Sequence, residues 1–546
     1  MSYSSDDNSR KSSNPFIPLY IGLALAFGVA IGYYMSRSPV LKYGRDKSIN
    51  LTSGKKLGSV IDYIESQYVE SVDKKELEDK ALTALLHSLD PHSDYIPASE
   101  FQEVNEPIQG NFEGIGVEFN IFNDTITVVT PISGGPAQKA GVLPGDKIIF
   151  VEKKKIAGVK ITNKEVFGLL RGKKGTTVQI SVLRRGDEAL QQITIERDEI
   201  PLNSVEVSYM LNKEIGYVKI SRFAMNTHEE FVAAYTQLLR EGMKKMVLDL
   251  RGNPGGVLPA AVNICDEFLS KGYTIVYTEG KASSKRYHKS TAEGKFENNP
   301  VVILIDEGSA SASEIVAGAL QDNDRASIVG RRSFGKGLVQ EQMDLDDGSA
   351  IRLTVARYYT PTGRCIQKPY GENNESYYEE EYNRLEKGEL FSADSIKFPD
   401  SLKYRTPSGK VVYGGGGIMP DVFVPFDTSF SSSFLSKIIY GGWLNNFAFQ
   451  YSDKNRDELR TYISGINFSE EFNVSAELMN EFLAYLEKNK VKKDEAGLRR
   501  SGNRIRLLLK AYIGRNIFND TGYYAVINQE DKTLKKAMEV LVTQKK

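Results

Sequence analysis

Histidine and cysteine are both scarce in this chain of 546 residues, and each scarcity narrows the chemistry. The two cysteines, Cys265 and Cys365, stand a hundred positions apart, which fits neither a disulfide framework nor a zinc site. Only four histidines, His87, His92, His228 and His288, are on hand to act as the usual base beside a serine. An excess of one charge is missing too. Seventy Lys and Arg face 71 Asp and Glu, and a net charge of -1 provides no field that would draw in nucleic acid. With 40% apolar and 26% charged residues, the chain has the balance of a folded protein long enough for three or four domains.

The stretch 16–35, "FIPLYIGLALAFGVAIGYYM", carries no charge, and a helix of that length spans about 30 Å of hydrocarbon. Tyr20, Tyr33 and Tyr34 near its ends suit the membrane interface. It reads as a transmembrane anchor after a short tail, 1–15, with a signal peptide cleaved near Ala30 as the alternative. Arg10 and Lys11 on one side face Arg37, Lys42, Arg45 and Lys47 on the other, so charge leaves the orientation open.

Four further segments follow. Over 55–105 apolar residues recur at helical spacing (Val60, Ile64; Leu82, Leu85, Leu86, Leu89), closed by the turn "DPHSDY". Over 106–200 short β-branched runs alternate with glycine-rich turns, the pattern of a compact β-rich module. Within it "GIGV" (Gly114, Ile115, Gly116, Val117) reads either as a plain turn or as a nest of backbone N–H groups for a peptide carboxylate. Over 201–430 strands such as "MVLDL" and "VVILID" alternate with helices, which predicts a multidomain α/β protein with a mostly parallel, buried sheet. Its sites are expected where strands end and helices begin. The acidic, tyrosine-rich stretch 370–410 reads as an insertion with a solvated face. Over 431–546 helical spacing returns, as a separate helical extension.

Two strand ends carry candidate chemistry. "GSASASEIV" places Ser309, Ser311 and Ser313 after an apolar strand, and a serine hydroxyl attacks only when a base takes its proton. No histidine lies nearby in sequence. A lysine serves if burial keeps it neutral, which requires lowering its pKa by roughly 3 to 4 units. "SFGKGLVQ" offers Lys336 between two glycines. The turn "RGNPGG" can present the amide of Gly255 or Gly256 to a developing oxyanion, with the amide after the nucleophile as partner. A rival reading takes "GRRSFGK" (330–336) as a nucleotide phosphate loop. Gly337 stands where that loop needs Ser or Thr, and a strand pattern follows where it needs a helix.

Together the fragments "LDPHSDYI", "GNFEGIGVEF", "GGPAQKAGVLPGDKI", "LDLRGNPGGVL", "GSASASEIVAGALQDNDRA", "SFGKGLVQ" and "YYTPTGR" with "GGIMPD" resemble the carboxyl-terminal processing, or tail-specific, serine peptidases across 60–425. The resemblance implies a Ser311 nucleophile, with Ser309 and Ser313 supporting it. It implies Lys336 as base, Gln340 to orient that base, and oxyanion donors at Ala312 and at Gly255 or Gly256. It makes the β-rich module a PDZ domain and "GIGV" its carboxylate loop. It also implies endopeptidase activity without metal or cofactor, and protein or peptide substrates with unstructured C-termini. A bacterial inner-membrane location would follow, with the catalytic part on the periplasmic side, and a homo-oligomer is left open. The alternative is a membrane-tethered PDZ scaffold with an inactive peptidase domain.

Overall fold

The computed structural model describes residues 55–543 apart from 123, 133 and 371–373. The expected anchor at 16–35 lies outside them. Among the described residues no helix is long and apolar enough to cross a membrane. The helix Lys55–Gln67 belongs to one compact unit, and residues from Val72 onward form another. In the second unit the helix Lys74–His87 starts at Asp73, whose carboxylate accepts from the Glu76 amide. The turn at Asp90 then leads into β1 (Asp94–Ile96).

The β-rich module is a six-stranded antiparallel sheet with β2 (Val117–Phe122) at its edge beside β3 (Thr125–Pro131). The helix α1 (Asn163–Leu170) closes the core, begun by a capping box between Thr162 and Glu165. Ile126, Val128, Ile148, Val166 and Ile180 fill that core without solvent contact.

The main sheet runs β4 (Val205–Met210), β5 (Ile215–Ile220), β6 (Lys245–Asp249), β7 (Val301–Ile305), β8 (Ser327–Gly330) and, further along the chain, Val422–Phe423. Its first pair is antiparallel and the rest are parallel. Side chains alternate along a strand, so runs apolar at every position must be covered on both faces. One face carries Met246, Leu248, Val301, Ile303 and Ile328, under α2 (Thr227–Arg240), α3 (Leu258–Asp266) and α4 (Ala312–Asp322). A second sheet pairs β1, β9 (Leu338–Asp344) and β10 (Ala350–Tyr359).

Two expectations from the sequence change here. The stretch 370–410 is not simply a solvated face. Its helix α5 (Asn374–Glu386) buries Tyr377 and Arg384, placed with Glu380 at helical spacing on one side. Nor is the C-terminal region separate from the peptidase sheet. It has a core of its own, but α6 (Glu495–Ile527, kinked by non-helical backbone at Phe518 and Asn519) and α7 (Lys532–Thr543) also cover the sheet's second face. There Ala525, Leu534, Ala537 and Leu541 meet Val247, Val302, Leu304 and Val329. Lys245 donates to the Leu541 carbonyl (2.8 Å), and Arg251 pairs with Asp531 (2.7 Å). The helices α2, α3 and α4 all lie on the other face, so this one needed a partner from elsewhere in the chain.

Leu534 is almost fully buried in that layer. Leu534→Ala is therefore expected to cost about 2–5 kcal/mol of unfolding free energy, the usual range for a leucine deleted from a core. Equilibrium denaturation measures this, and a cost near zero would mean that α7 does not cover the sheet.

Candidate active site

The serine cluster forms the turn from β7 into α4, and hydrogen bonding separates its three members. The buried Ser309 hydroxyl donates to the Leu250 carbonyl (2.8 Å) and the buried Ser313 hydroxyl to that of Asn253 (2.9 Å). Both are spent on holding the "RGNPGG" turn. Ser311 is partly exposed and sits at φ 54°, ψ -112°. That is outside the left-handed well, a strain of about 1–3 kcal/mol that the surrounding contacts must offset.

The glycine turn lies directly against this serine. Gly255 has φ 98°, and a Cβ there would stand 2.7 Å from both the Ala310 carbonyl oxygen and Ser311 Cβ. Only glycine allows the approach. The Gly255 amide donates to Asn253 Oδ1 (2.9 Å), while Asn253 Nδ2 donates to the Ile220 carbonyl (2.9 Å). The amides of Gly256 and Ala312 donate to no acceptor among the described residues, that of Ala312 because it opens a helix.

Glu314, one turn into α4, is wholly buried. Its carboxylate accepts from the amides of Ser311 (2.8 Å), Gly335 (2.7 Å) and Lys336 (2.9 Å) and from the Ser333 hydroxyl (2.5 Å). Burial pushes its carboxyl up to about 6 against these four bonds. The Tyr358 hydroxyl adds a second tie, donating to the Lys336 carbonyl with that of Ser311 at 3.1 Å. Serine and lysine loops thus share one buried carboxylate and one buried phenol.

Lys336 Nζ donates to Gln340 Oε1 (3.0 Å), and Gln340 Nε2 donates to the His92 carbonyl (2.7 Å). Among the described residues no hydrogen bond joins Lys336 Nζ to the Ser311 hydroxyl. Burial, helped by Arg352, lowers the lysine from its ordinary value, with Glu314 and Asp90 pulling the other way. Burial and the charge on Lys336 likewise push His92 down to about 4, so its ring is neutral at physiological pH. The Asp90 carboxylate organises the "DPHS" turn, accepting from the amides of His92 (2.8 Å) and Ser93 (2.9 Å) and from the hydroxyls of Ser93 (2.6 Å) and Thr354 (3.1 Å). A cavity of about 400 Å³ opens on Lys336 and Gln340, with His92, Tyr95, Arg352 and Tyr378 in its walls. Among the described residues no three metal-binding side chains cluster.

The fold brings together Ser311, Lys336, Gln340, Ala312 and the glycine turn, the residues singled out from the sequence. Sequence reasoning missed Glu314, Tyr358 and the brace at Asp90 and His92. Glu314 was signalled by the capping pattern Ser311-x-x-Glu314. The others are joined to the site by pairings distant in sequence.

The "GIGV" residues sit apart, in the β-rich module. The carbonyls of Ile115 and Gly116 accept from Ala137 (2.8 Å) and Ile132 (2.9 Å), while their amides donate to no acceptor among the described residues. Val117 begins the edge strand β2. Phe119 on that strand meets Phe167 of α1 edge-on, ring centroids 5.8 Å apart.

Residues 214–373 match the profile of peptidase family S41, residues 114–196 that of the PDZ domain, and residues 434–519 that of a family of unknown function. The carboxy-terminal-processing protease of Bartonella bacilliformis is 40% identical over 317 residues, 57% of this chain and 72% of that one. Carboxy-terminal processing protease CtpA of Bacillus subtilis is 38% identical over 314 residues, 57% of this chain and 66% of that one. Among solved structures, a photosystem II D1 C-terminal processing protease is 27% identical, with 70% of this chain and 89% of that one covered at a TM-score of 0.36. The chain belongs to peptidase family S41, the carboxy-terminal processing serine proteases.

Proposed function

We propose that this peptidase works with a Ser311–Lys336 dyad and selects clients by their C-terminal ends through the PDZ domain. The observation that carries the reading is the wholly buried Glu314 carboxylate, which holds the backbones of Ser311 and Lys336 to one another at the end of a parallel sheet. A neutral amine has two N–H groups and one lone pair. With Gln340 accepting one N–H, the lone pair is left to take the Ser311 proton as the hydroxyl attacks the scissile carbonyl. The oxyanion meets the free amides of Gly256 and Ala312, since the Gly255 amide is already occupied. Protonated Lys336 then donates its proton to the leaving amine, and water deprotonated by the same lysine releases the acyl group and regenerates the serine.

At the PDZ domain a client's C-terminal carboxylate would meet the free amides of Ile115 and Gly116, and its last residues would extend the sheet along β2. The uncharged segment 16–35 would anchor the chain, with the peptidase on the outer side of a bacterial inner membrane.

Ser311→Ala and Lys336→Ala are each expected to lower kcat on an unstructured, C-terminally tagged protein by at least about four orders of magnitude with the fold intact. Lys336→Arg should be as inactive, because a guanidinium stays charged at any usable pH. Appreciable turnover by any of the three would overturn the dyad.

Activity requires neutral Lys336, so kcat/KM should rise with pH through the lysine's own titration. Its pKa is lowered in the fold, which puts that midpoint below the ordinary value of about 10.4. A pH–rate profile reads this directly; a midpoint at or above the ordinary value would contradict the burial argument.

Glu314→Gln replaces an acceptor of four hydrogen bonds by a group that itself carries two donors, so at least one buried N–H or O–H loses its partner. Urea unfolding is expected to show a loss of about 2–4 kcal/mol. The sign of the pH dependence also follows. The folded-state pKa of Glu314 is raised, so its protonated form stabilises the wild type most below the unfolded value and that contribution fades as pH rises through about 6. The stability gap between wild type and variant should therefore narrow on going up from pH 4.5, and a gap that widens would contradict it.

A further inference from the structure

The stretch matched to the peptidase family ends at residue 373, and α5 begins at Asn374. This helix nevertheless grips the lysine from two sides. Arg384, almost fully buried, donates from Nη1 to the Ser333 carbonyl (2.8 Å) and from Nη2 to that of Phe334 (2.9 Å). Those residues stand three and two positions before Lys336, and Ser333 is one of the four donors to Glu314. The Glu380 carboxylate gathers Arg384 (2.7 Å), Arg332 (3.0 Å) and Lys368 (3.1 Å), so three cations around the loop share one acid from α5. The Lys368 ammonium lies 4.1 Å from the ring centre of Phe334 and 4.2 Å from that of Tyr377.

On the other side the Tyr377 hydroxyl, also buried, is 2.8 Å from His92 Nε2, with the two rings edge-on. The Tyr378 hydroxyl donates to the Pro91 carbonyl (2.9 Å). The carbonyl of that same His92 accepts from Gln340 Nε2 (2.7 Å), which turns Gln340 Oε1 toward Lys336. An amide whose nitrogen had no fixed acceptor would be free to flip and present N–H groups to the lysine instead.

We infer that α5 is a clamp supplied in cis, in which Tyr377 and Arg384 are positioning residues: Tyr377 aims Gln340 through His92, and Arg384 holds the 333–336 loop so that Lys336 faces Ser311. The inference rests on the dyad proposed above. The clamp acts by placement and by excluding water. The titratable and charged groups that face Lys336 are Glu314 from α4, Asp90 and neutral His92 from the turn before β1, and Arg352 from β10, with His87, Asp94, Tyr95, Glu100 and Tyr378 in the cavity wall. Tyr377→Phe changes none of these, so a shift in the lysine's titration in that variant reports on geometry and hydration alone.

The test uses the full chain and compares pH–rate profiles of wild type, Tyr377→Phe and Arg384→Met with Lys336→Ala as reference. Tyr382→Ala, at an exposed position of the same helix, is the control. For Tyr377→Phe the expected result is a fall in kcat of about ten-fold, with KM within about two-fold of wild type. Its acid limb should move to higher pH, because a better hydrated lysine holds its proton longer. Arg384→Met should move in the same direction and Tyr382→Ala should match wild type. A wild-type kcat and profile in Tyr377→Phe would overturn the inference. So would a loss of activity equal to the loss of folded protein with the pH midpoint unmoved, which is what a merely structural residue gives. If Arg384→Met does not fold, Tyr377→Phe decides alone. Activity in Lys336→Ala would instead remove the dyad itself, so the two failures are told apart.

Discussion

The site depends on one carboxylate that water cannot reach. Glu314 sits one helical turn after Ser311, so helix geometry fixes its distance from the serine, and its oxygens reach across to the loop that carries Lys336. Burying such a group costs several kcal/mol unless its lone pairs are filled, and here four donors converge on it. The arrangement is directional. Among the described residues the amides of residues 311, 335 and 336 donate to this carboxylate, so losing it would strand them. The strained backbone at Ser311 is tolerable for the same reason, since its amide is held by Glu314 and its carbonyl lies beside Tyr358.

Around that centre, residues are paired so that each polar group has one job. Ser309 and Ser313 hold the glycine turn, Asn253 orders it from inside, and Asp90 shapes the turn whose carbonyl aims Gln340. Among the described residues the amides of Gly256 and Ala312 donate to no acceptor, and with the partly exposed Ser311 they supply what a peptide bond would need. A histidine does stand beside the lysine, yet it contributes a carbonyl and a neutral ring rather than a base.

Much of this was legible in the sequence. The apolar runs predicted a buried parallel sheet, and the placement of "NPGG" and the serine cluster at strand ends predicted where chemistry would gather. Two glycines beside Lys336 marked a lysine in a tight loop. Which serine stays available was not legible from the residues alone, because it is decided by carbonyls at Leu250 and Asn253, some sixty residues upstream. The face covered by α7 was hidden for a related reason: an amphipathic pattern tells that one side of a helix is buried but not against what. The acidic run at 374–386 misled because its charge density masks Tyr377 and Arg384, which share a side with Glu380 and face inward.

The layer formed by α7 links strands and helix far apart in the chain; the bond from Lys245 to the Leu541 carbonyl joins positions 296 residues apart. A nascent chain leaving the ribosome at about 5–20 residues per second would complete β6 roughly 15 to 60 seconds before its covering helix emerges. During that interval Val247, Val302 and Leu304 have no layer to pack against. The main sheet is therefore covered on its second face only after residues 532–543 have been made.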